Sequence, residues 1–255
     1  MPAHDEDLNL LEDTVREAGH IARKFYGGDY KRWNKEGGSP VTEADLAVNK
    51  YLCDVLTGAR PDYGWLSEEN TDDPSRLARR EVFVVDPIDG TIAFLKNRPH
   101  FTICAAIVVE GRPRCGVVYN PISEELYSAR TGAGAHRNGD AIHVGGRGRL
   151  EHCAMLGDRN QFLQAPWPPM HVQNRNSVAY RLVLVADGSA DASVSLTAKH
   201  DWDLAAADII LHEAGGCLTD AGGAALIYNR PVTRQSSLVA ANPPLHAEIT
   251  RLLRQ

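Results

Sequence analysis

The amino-acid sequence predicts a layered α/β (α+β) protein: a helix pair on a largely antiparallel sheet, followed by a smaller α/β lobe. Three observations carry this prediction. Apolar residues recur at helical spacing over 8–26 and again after Thr42. Four β-rich runs then follow one another between 82 and 129, separated by turn residues. Beyond about residue 148, strand-like and helical stretches alternate. The chain is accordingly divided into an N-terminal lobe, 1–147, and a C-terminal α/β lobe, 148–255.

The first helix shows Leu8, Leu11, Val15, Ala18 and Phe25 on one stripe and stops at Gly27-Gly28. Residues 30–40 are mostly polar, contain Gly37-Gly38 and read as a mobile loop. Thr42-Glu43-Ala44-Asp45 has the form of a capping box with Asp in place of Glu, and Leu46, Val48, Leu52 and Leu56 continue it as a helix. Strands are expected over 82–86, 101–109, 114–119 and 125–129. Glu110-Gly111-Arg112 makes a hairpin, and Asn120-Pro121 and Asn138-Gly139 mark further turns. In the second lobe, 177–187 and 203–214 read as helices closed by Gly188 and Gly215-Gly216, with a last strand at 237–241 and a last helix at 245–253. The run QAPWPPM at 164–170 holds three prolines, so it reads as a loop, one expected to approach the site.

The composition bounds the function. A chain of 255 residues with 43% hydrophobic and 24% charged residues has material for a sizeable core. A net charge of −6 and a pI of about 5.9 argue against nonspecific binding to nucleic acid or to an anionic membrane. The N-terminus, MPAHDEDLNLLEDTV, is acidic and lacks the apolar run of a secretory signal. No apolar run approaches the ~18 residues of a membrane span. The five cysteines are scattered, odd in number and free of CxxC, which points to a reduced, cytoplasmic protein. The ten histidines form no HxH or HExxH set, and none is assigned to metal.

The chemistry concentrates in FVVDPIDGTIAF at 83–94, where a strand that should be buried runs into Asp86 and Asp89. Two carboxylates at such a place are costly unless a hard divalent cation compensates them, and oxygen ligands suit Mg²⁺. Gly90 and Thr91 then offer backbone N–H groups of the kind that hold a phosphate oxygen. Asp-Pro and Asp-Gly are also ordinary turn dipeptides, so the stretch alone leaves a solvated turn open. Glu68-Glu69, Asp45 and the pair Asp201 and Asp203 add acids, each of which alone also reads as a surface or capping residue.

Together with PVTEAD at 40–45, WLSEEN at 65–70, GVVYNP at 116–121 and WDLAAADIILHEAGG at 202–216, DPIDGT at 86–91 makes the chain resemble the inositol monophosphatase superfamily of Mg²⁺-dependent, lithium-sensitive phosphomonoesterases. The resemblance spans nearly the whole chain. It implies an αβαβα sugar-phosphatase-type fold and a phosphatase with two Mg²⁺ ions and a weaker third. Glu68, Asp86 and the main-chain carbonyl of Ile88 would hold the first ion. Asp86, Asp89 and Asp203 would hold the second, and Glu68 would help hold the third. Thr91 paired with Asp45 would activate the attacking water, the Gly90 and Thr91 amides would hold the phosphate, and Lys35 on the flap at 34–40 would stand near it. Family members are often homodimers, so the partners expected are a small phosphorylated substrate and a second copy of the chain.

For the leaving group, Ser177 matches a family position, although Asn176 stands where glycine is common. Inositol-specific members resemble one another in a glutamate ahead of the last metal ligand. Here SVSLTAKH at 193–200 has no acid and offers Lys199 and His200, which suit a second phosphate. That favours a 3′(2′),5′-bisphosphate nucleotide, with an inositol or other polyol phosphate next. Ile92-Ala93-Phe94 departs from the Lys-Glu-Phe that nucleotidases often carry there. A non-catalytic RNA- or polymerase-associated regulator is the alternative of another class.

Overall fold

The computed structural model describes residues 2–35, 38 and 40–254. Helix α1 (Pro2–Phe25) is followed by the short strands β1 (Arg32–Asn34) and β2 (Pro40–Thr42) and by α2 (Glu43–Ala59). Then come β3 (Gly64–Ser67), β4 (Glu81–Asp89), the one-turn helix α3 (Thr91–Leu95), β5 (Thr102–Val109), β6 (Arg112–Asn120), β7 (Glu125–Arg130), β8 (Ala135–Arg137) and β9 (Asp140–Ile142). The rest of the chain supplies β10 (Ala154–Leu156), β11 (His171–Gln173), α4 (Val178–Ala186), β12 (Ala192–Ser195) and β13 (Lys199–His200). It ends with α5 (Asp201–Glu213), β14 (Cys217–Thr219), β15 (Arg234–Gln235), β16 (Leu238–Ala241) and α6 (Pro243–Leu253).

β3 to β9 form a seven-stranded sheet in sequence order, antiparallel except that β3 lies parallel to β4 at its edge. A second sheet of five strands runs β11-β10-β12-β16-β14. Strand periodicity sorts the large sheet's residues by face. Phe83, Val85, Ile103 and Ala105 pack with Leu11, Val15, Val48 and Leu52 of α1 and α2. Val82, Val84, Cys104 and Ala106 pack on the other side with Leu182, Val183, Leu204 and Ala205 of α4 and α5. The far side of α4 and α5 meets Leu156, Leu238 and Ala240 of the second sheet, whose other face holds Leu245 and Ile249 of α6. The order is helix, sheet, helix, sheet, helix, as the αβαβα expectation has it. α5 seats closely because Gly116 of β6 carries no side chain. A Cβ there would lie 2.7 Å from the Ala206 carbonyl oxygen.

One element was not expected, and one local expectation is corrected. Residues 64–67 form the edge strand β3, which four residues without alternation did not reveal. The proline-rich run 164–170 does not approach the site. Pro166 and Pro168 line a cavity with Leu150 and, on α6, Glu248, Arg251 and Leu252, and Trp167 meets the Phe162 ring edge-on at 4.9 Å. Its apolar rings and prolines gain more by covering the second core than by facing a polar cleft.

Candidate active site

β4 pairs with β5 residue for residue from Glu81 opposite Val109 to Asp86 opposite Cys104, and pairing resumes with Asp89 opposite Thr102. Three steps on β4 are matched by two on β5, a β-bulge. Alternation puts Asp86 on the α4/α5 side with Val82 and Val84, and a regular strand would turn Asp89 to the opposite side. The bulge brings it back. Asp89 Oδ2 accepts hydrogen bonds from the Ser177 hydroxyl at 2.7 Å and the Ala179 amide at 2.6 Å, at the start of α4. Asp86 Oδ1 accepts from the Ile88 amide at 3.0 Å. Asp203, in the first turn of α5, accepts at Oδ2 from the His200 amide at 2.7 Å. One carboxylate oxygen from each of Asp86, Asp89 and Asp203 lies within 4.8 Å of the others.

The charge of the triad is only partly compensated, by Arg181 near Asp89 and Lys199 near Asp203. Burial, then the charges of Glu68, Asp89 and Asp203, hold the Asp86 carboxyl well above the usual range. Burial pushes Asp89 up to about 6 in spite of its bonds from Ser177 and Ala179. Burial and then the Asp89 charge push Asp203 to about 8. Among the described residues no lysine or arginine forms an ion pair with any of the three. A divalent cation with oxygen ligands supplies the missing charge, so the donor set fits Mg²⁺.

The nucleophile end is built by two caps. Gly90 is the N-cap of α3 at φ 94°, and a Cβ on it would sit 2.9 Å from the Ser177 nitrogen and 3.0 Å from the His100 oxygen. Only glycine allows this approach of the chain to α4. Thr91, next in line, has its Oγ1 3.2 Å from the Ile88 carbonyl oxygen and 3.4 Å from Asp45 Oδ1. The Thr42–Asp45 capping box forms: Asp45 Oδ2 accepts from the Thr42 amide at 2.8 Å and its hydroxyl at 2.5 Å. The box occupies one oxygen of Asp45 and leaves the other for Thr91. Burial pushes Asp45 up to about 6 against the Thr42 bonds.

These groups open onto a cleft of about 370 Å³ between Pro40, Glu68 and Ile92 on one side and Asn176, Val178, Ala198 and Lys199 on the other. Lys35 is not on its wall. Its ammonium pairs with Glu68 Oε1 at 3.0 Å and Glu69 Oε1 at 2.7 Å, the nearest negative charges to a half-buried lysine. Burial pushes Glu69 to about 7, with Lys35 pulling the other way. Glu36, Gly37 and Ser39 of the expected flap lie outside the described residues. Lys199 lines the cleft, and its Nζ donates to Thr197 Oγ1 at 2.9 Å and the Ala198 carbonyl at 3.3 Å. His200 does not line it; its ring stacks on Trp202 at 4.4 Å. Asp201, two residues before Asp203, is wholly buried and accepts from the Asn229 amide and Gln235 Nε2, both at 2.8 Å.

Two supports were not legible in the sequence. Ser177, expected at the substrate, caps α4 through Tyr180 N at 2.9 Å and holds Asp89 with the same hydroxyl. The chain carrying Glu68 is tied by Ser67 Oγ to Asn49 at 2.7 Å and by Asn49 to Asn70 at 2.9 Å. The sole hint was the polar pair Ser67 and Asn70 bracketing the two acids.

A five-layer αβαβα fold with a carboxylate triad, two of its members buried, beside a threonine–aspartate pair defines a metal-assisted hydrolase of phosphate esters. The Inositol monophosphatase family profile matches residues 4–255, and the chain belongs to that family. It is 30% identical to the 3'(2'),5'-bisphosphate nucleotidase CysQ of Aggregatibacter actinomycetemcomitans, over 87% of this chain and 88% of that one. It is also 30% identical to a histidinol-phosphatase of Chlorobaculum parvum, over 92% of each. The crystal structure of the extragenic suppressor protein suhB from Bartonella henselae superposes with a TM-score of 0.85 at 28% identity, over 98% of this chain and 99% of that one. The protein is a phosphomonoesterase of a Mg²⁺-dependent family. No helix among the described residues is long and apolar enough to cross a membrane.

Proposed function

We propose that the protein hydrolyses 3′(2′),5′-bisphosphate nucleotides, 3′-phosphoadenosine 5′-phosphate first among them. The observation that carries the chemistry is the triad Asp86, Asp89 and Asp203 next to the Thr91–Asp45 pair. Glu68, Asp86 and the Ile88 carbonyl would hold one Mg²⁺, and Asp86, Asp89 and Asp203 a second; Glu68 would help hold a weaker third. Bound there, the ions supply Lewis acidity toward the phosphate and lower the pKa of water.

The chain's own residues do the rest. The Gly90 and Thr91 amides begin a helix and so have no intrahelical acceptor, which frees them for phosphate oxygens. The Thr91 hydroxyl takes the proton of the attacking water as it passes its own to Asp45 Oδ1. Asp45, shifted to about 6, is a carboxylate at neutral pH yet basic enough to accept that proton. Thr42 keeps the other oxygen occupied, so the proton has one destination.

Lys199 on the wall of the cleft supports the bisphosphate reading. It has no acidic ion-pair partner among the described residues, and an anionic second phosphate would provide one. The lobe boundary at 147/148, with the second lobe choosing the leaving group, belongs to the same proposal, as do a homodimeric assembly and a cytoplasmic setting consistent with five free cysteines. A polyol phosphate such as inositol 1-phosphate is the second reading, favoured by the two hydrogen bonds Lys199 already makes within its own loop. The test is phosphate release in Mg²⁺, with and without Li⁺, from 3′-phosphoadenosine 5′-phosphate, inositol 1-phosphate, histidinol phosphate and fructose 1,6-bisphosphate. Preference for the nucleotide is expected. Preference for inositol 1-phosphate replaces the first reading by the second. Metal binding without turnover of any substrate favours a regulatory protein.

A further inference from the structure

A second cavity, of about 540 Å³, opens at the opposite end of α5 from Asp203. Asp208, Ile209, His212 and Glu213 of α5 form one wall, and β14 from Cys217 to Thr219 forms another. Arg112 and Pro113 close it from the start of β6, with Ala225 at the rim. Its size falls within the range of small-molecule sites, and apolar groups dominate its walls. None of its residues belongs to the cleft around the carboxylate triad.

Its polar groups are few and of opposite sign. Asp208 Oδ2 accepts from the Tyr228 hydroxyl at 2.7 Å, and among the described residues no donor reaches its other oxygen. Glu213 is already used, since its two oxygens take the Gly132 and Gly134 amides, each at 2.9 Å. Arg112 gives Nη1 to the Leu226 carbonyl at 2.8 Å and, among the described residues, has no ion-pair partner. The two charges are near enough for Arg112 to favour the Asp208 carboxylate, after the larger effects of burial, Tyr228 and His212. They nevertheless form no ion pair with each other. A cation and an anion on the walls of one apolar cavity, each with donor or acceptor capacity left over, present a bipolar receptor.

We propose that this cavity binds a free α-amino acid with a large apolar side chain. The ammonium meets Asp208, the carboxylate meets Arg112, and the side chain lies against Ile209, Leu218 and Pro113. A zwitterion satisfies both wall charges at once, whereas a simple amine or acid satisfies one and leaves the other.

The experiment is calorimetric or NMR titration of the whole protein with L-phenylalanine, L-leucine, phenethylamine, hydrocinnamate and glycine. Saturable binding of phenylalanine or leucine is expected, with each single-charge analogue at least about tenfold weaker for the loss of one charge-assisted hydrogen bond, and glycine at least about tenfold weaker for the loss of its apolar contacts. Arg112→Ala and Asp208→Asn should each weaken phenylalanine to the level of the corresponding analogue. Asp208→Asn keeps an acceptor for Tyr228, and Arg112 lies on the surface, so at least one variant tests binding in a folded protein. No saturable binding, equal binding of the single-charge analogues, or binding indifferent to both variants each overturns the proposal.

Discussion

The two walls of the cleft differ in how they are built. The wall from the large sheet is dense in charge and rigidly held: Asp86 and Asp89 sit on the bulged strand β4, 1% and 5% exposed, with their oxygens fixed by backbone amides and Ser177. The wall from residues 176–203 offers one metal-site carboxylate, Asp203, and otherwise Asn176, Val178, Ala198 and a single lysine whose bonds stay within its own loop. Chemistry common to many phosphate esters requires the first kind of wall, where preorganised charge acts on the reacting group. Choice among leaving groups needs only a few changeable contacts, which the second kind supplies.

The largest effects should come from the carboxylates that meet between the walls. Asp203→Asn is expected to lower kcat by about 10³-fold, the scale for losing preorganised transition-state electrostatics. In metal-free protein above about pH 8, where Asp203 is ionised, the same change should raise Tm by about 2–4 °C, because it removes a carboxylate charge that the Asp89 charge opposes. Asp201→Ala, two residues away, should do the reverse, costing about 3 kcal/mol by stranding the Asn229 amide and the Gln235 side chain. Chemical denaturation and turnover of the two variants side by side would erase the contrast if both behaved alike. Thr91→Ala should slow turnover by about 10²-fold while leaving Mg²⁺ affinity intact; unchanged kcat removes the hydroxyl from the mechanism.

Lys199→Ala addresses the sparse wall. KM for a bisphosphate nucleotide should rise about tenfold, and that for inositol 1-phosphate should not move. Equal shifts for both would mean that the lysine does not discriminate. The smallest effect is a pH trend in the metal-free protein. Asp45 and Asp89 are raised to about 6 and Asp203 to about 8, from 3.8. The folded state thus holds protons that the unfolded chain releases. Their stabilisation is full below about pH 4 and is lost as pH rises through 6 to 8. Tm measured in chelator should fall over that window, and saturating Mg²⁺ should remove the fall. A flat profile in chelator would mean that the triad's charge is fully compensated in the folded protein.

Legibility in the sequence followed the range of the interaction. The Thr42–Asp45 box was readable because donor and acceptor lie within one turn, and the same holds for the turn that joins Asp86 to Thr91. The sequence points Ser177 at the substrate, whereas its hydroxyl bonds Asp89 across 88 residues. Lys35 was expected at the phosphate and lies on Glu68 and Glu69. The proline-rich run showed its irregularity plainly and its location not at all, because no periodicity records which core a loop will cover.

The sequence by itself determined most of the order of elements, since this rests on local periodicity and caps, and its resemblance to a known family pointed to the αβαβα class and to the acids. Only the tertiary structure decided that a bulge turns Asp89 to the side of Asp86, that α5 brings Asp203 to them, and that Asp201 faces the other way. Those outcomes depend on strand register and helix seating, as at Gly116 against Ala206, where contacts between residues far apart in the chain set the geometry.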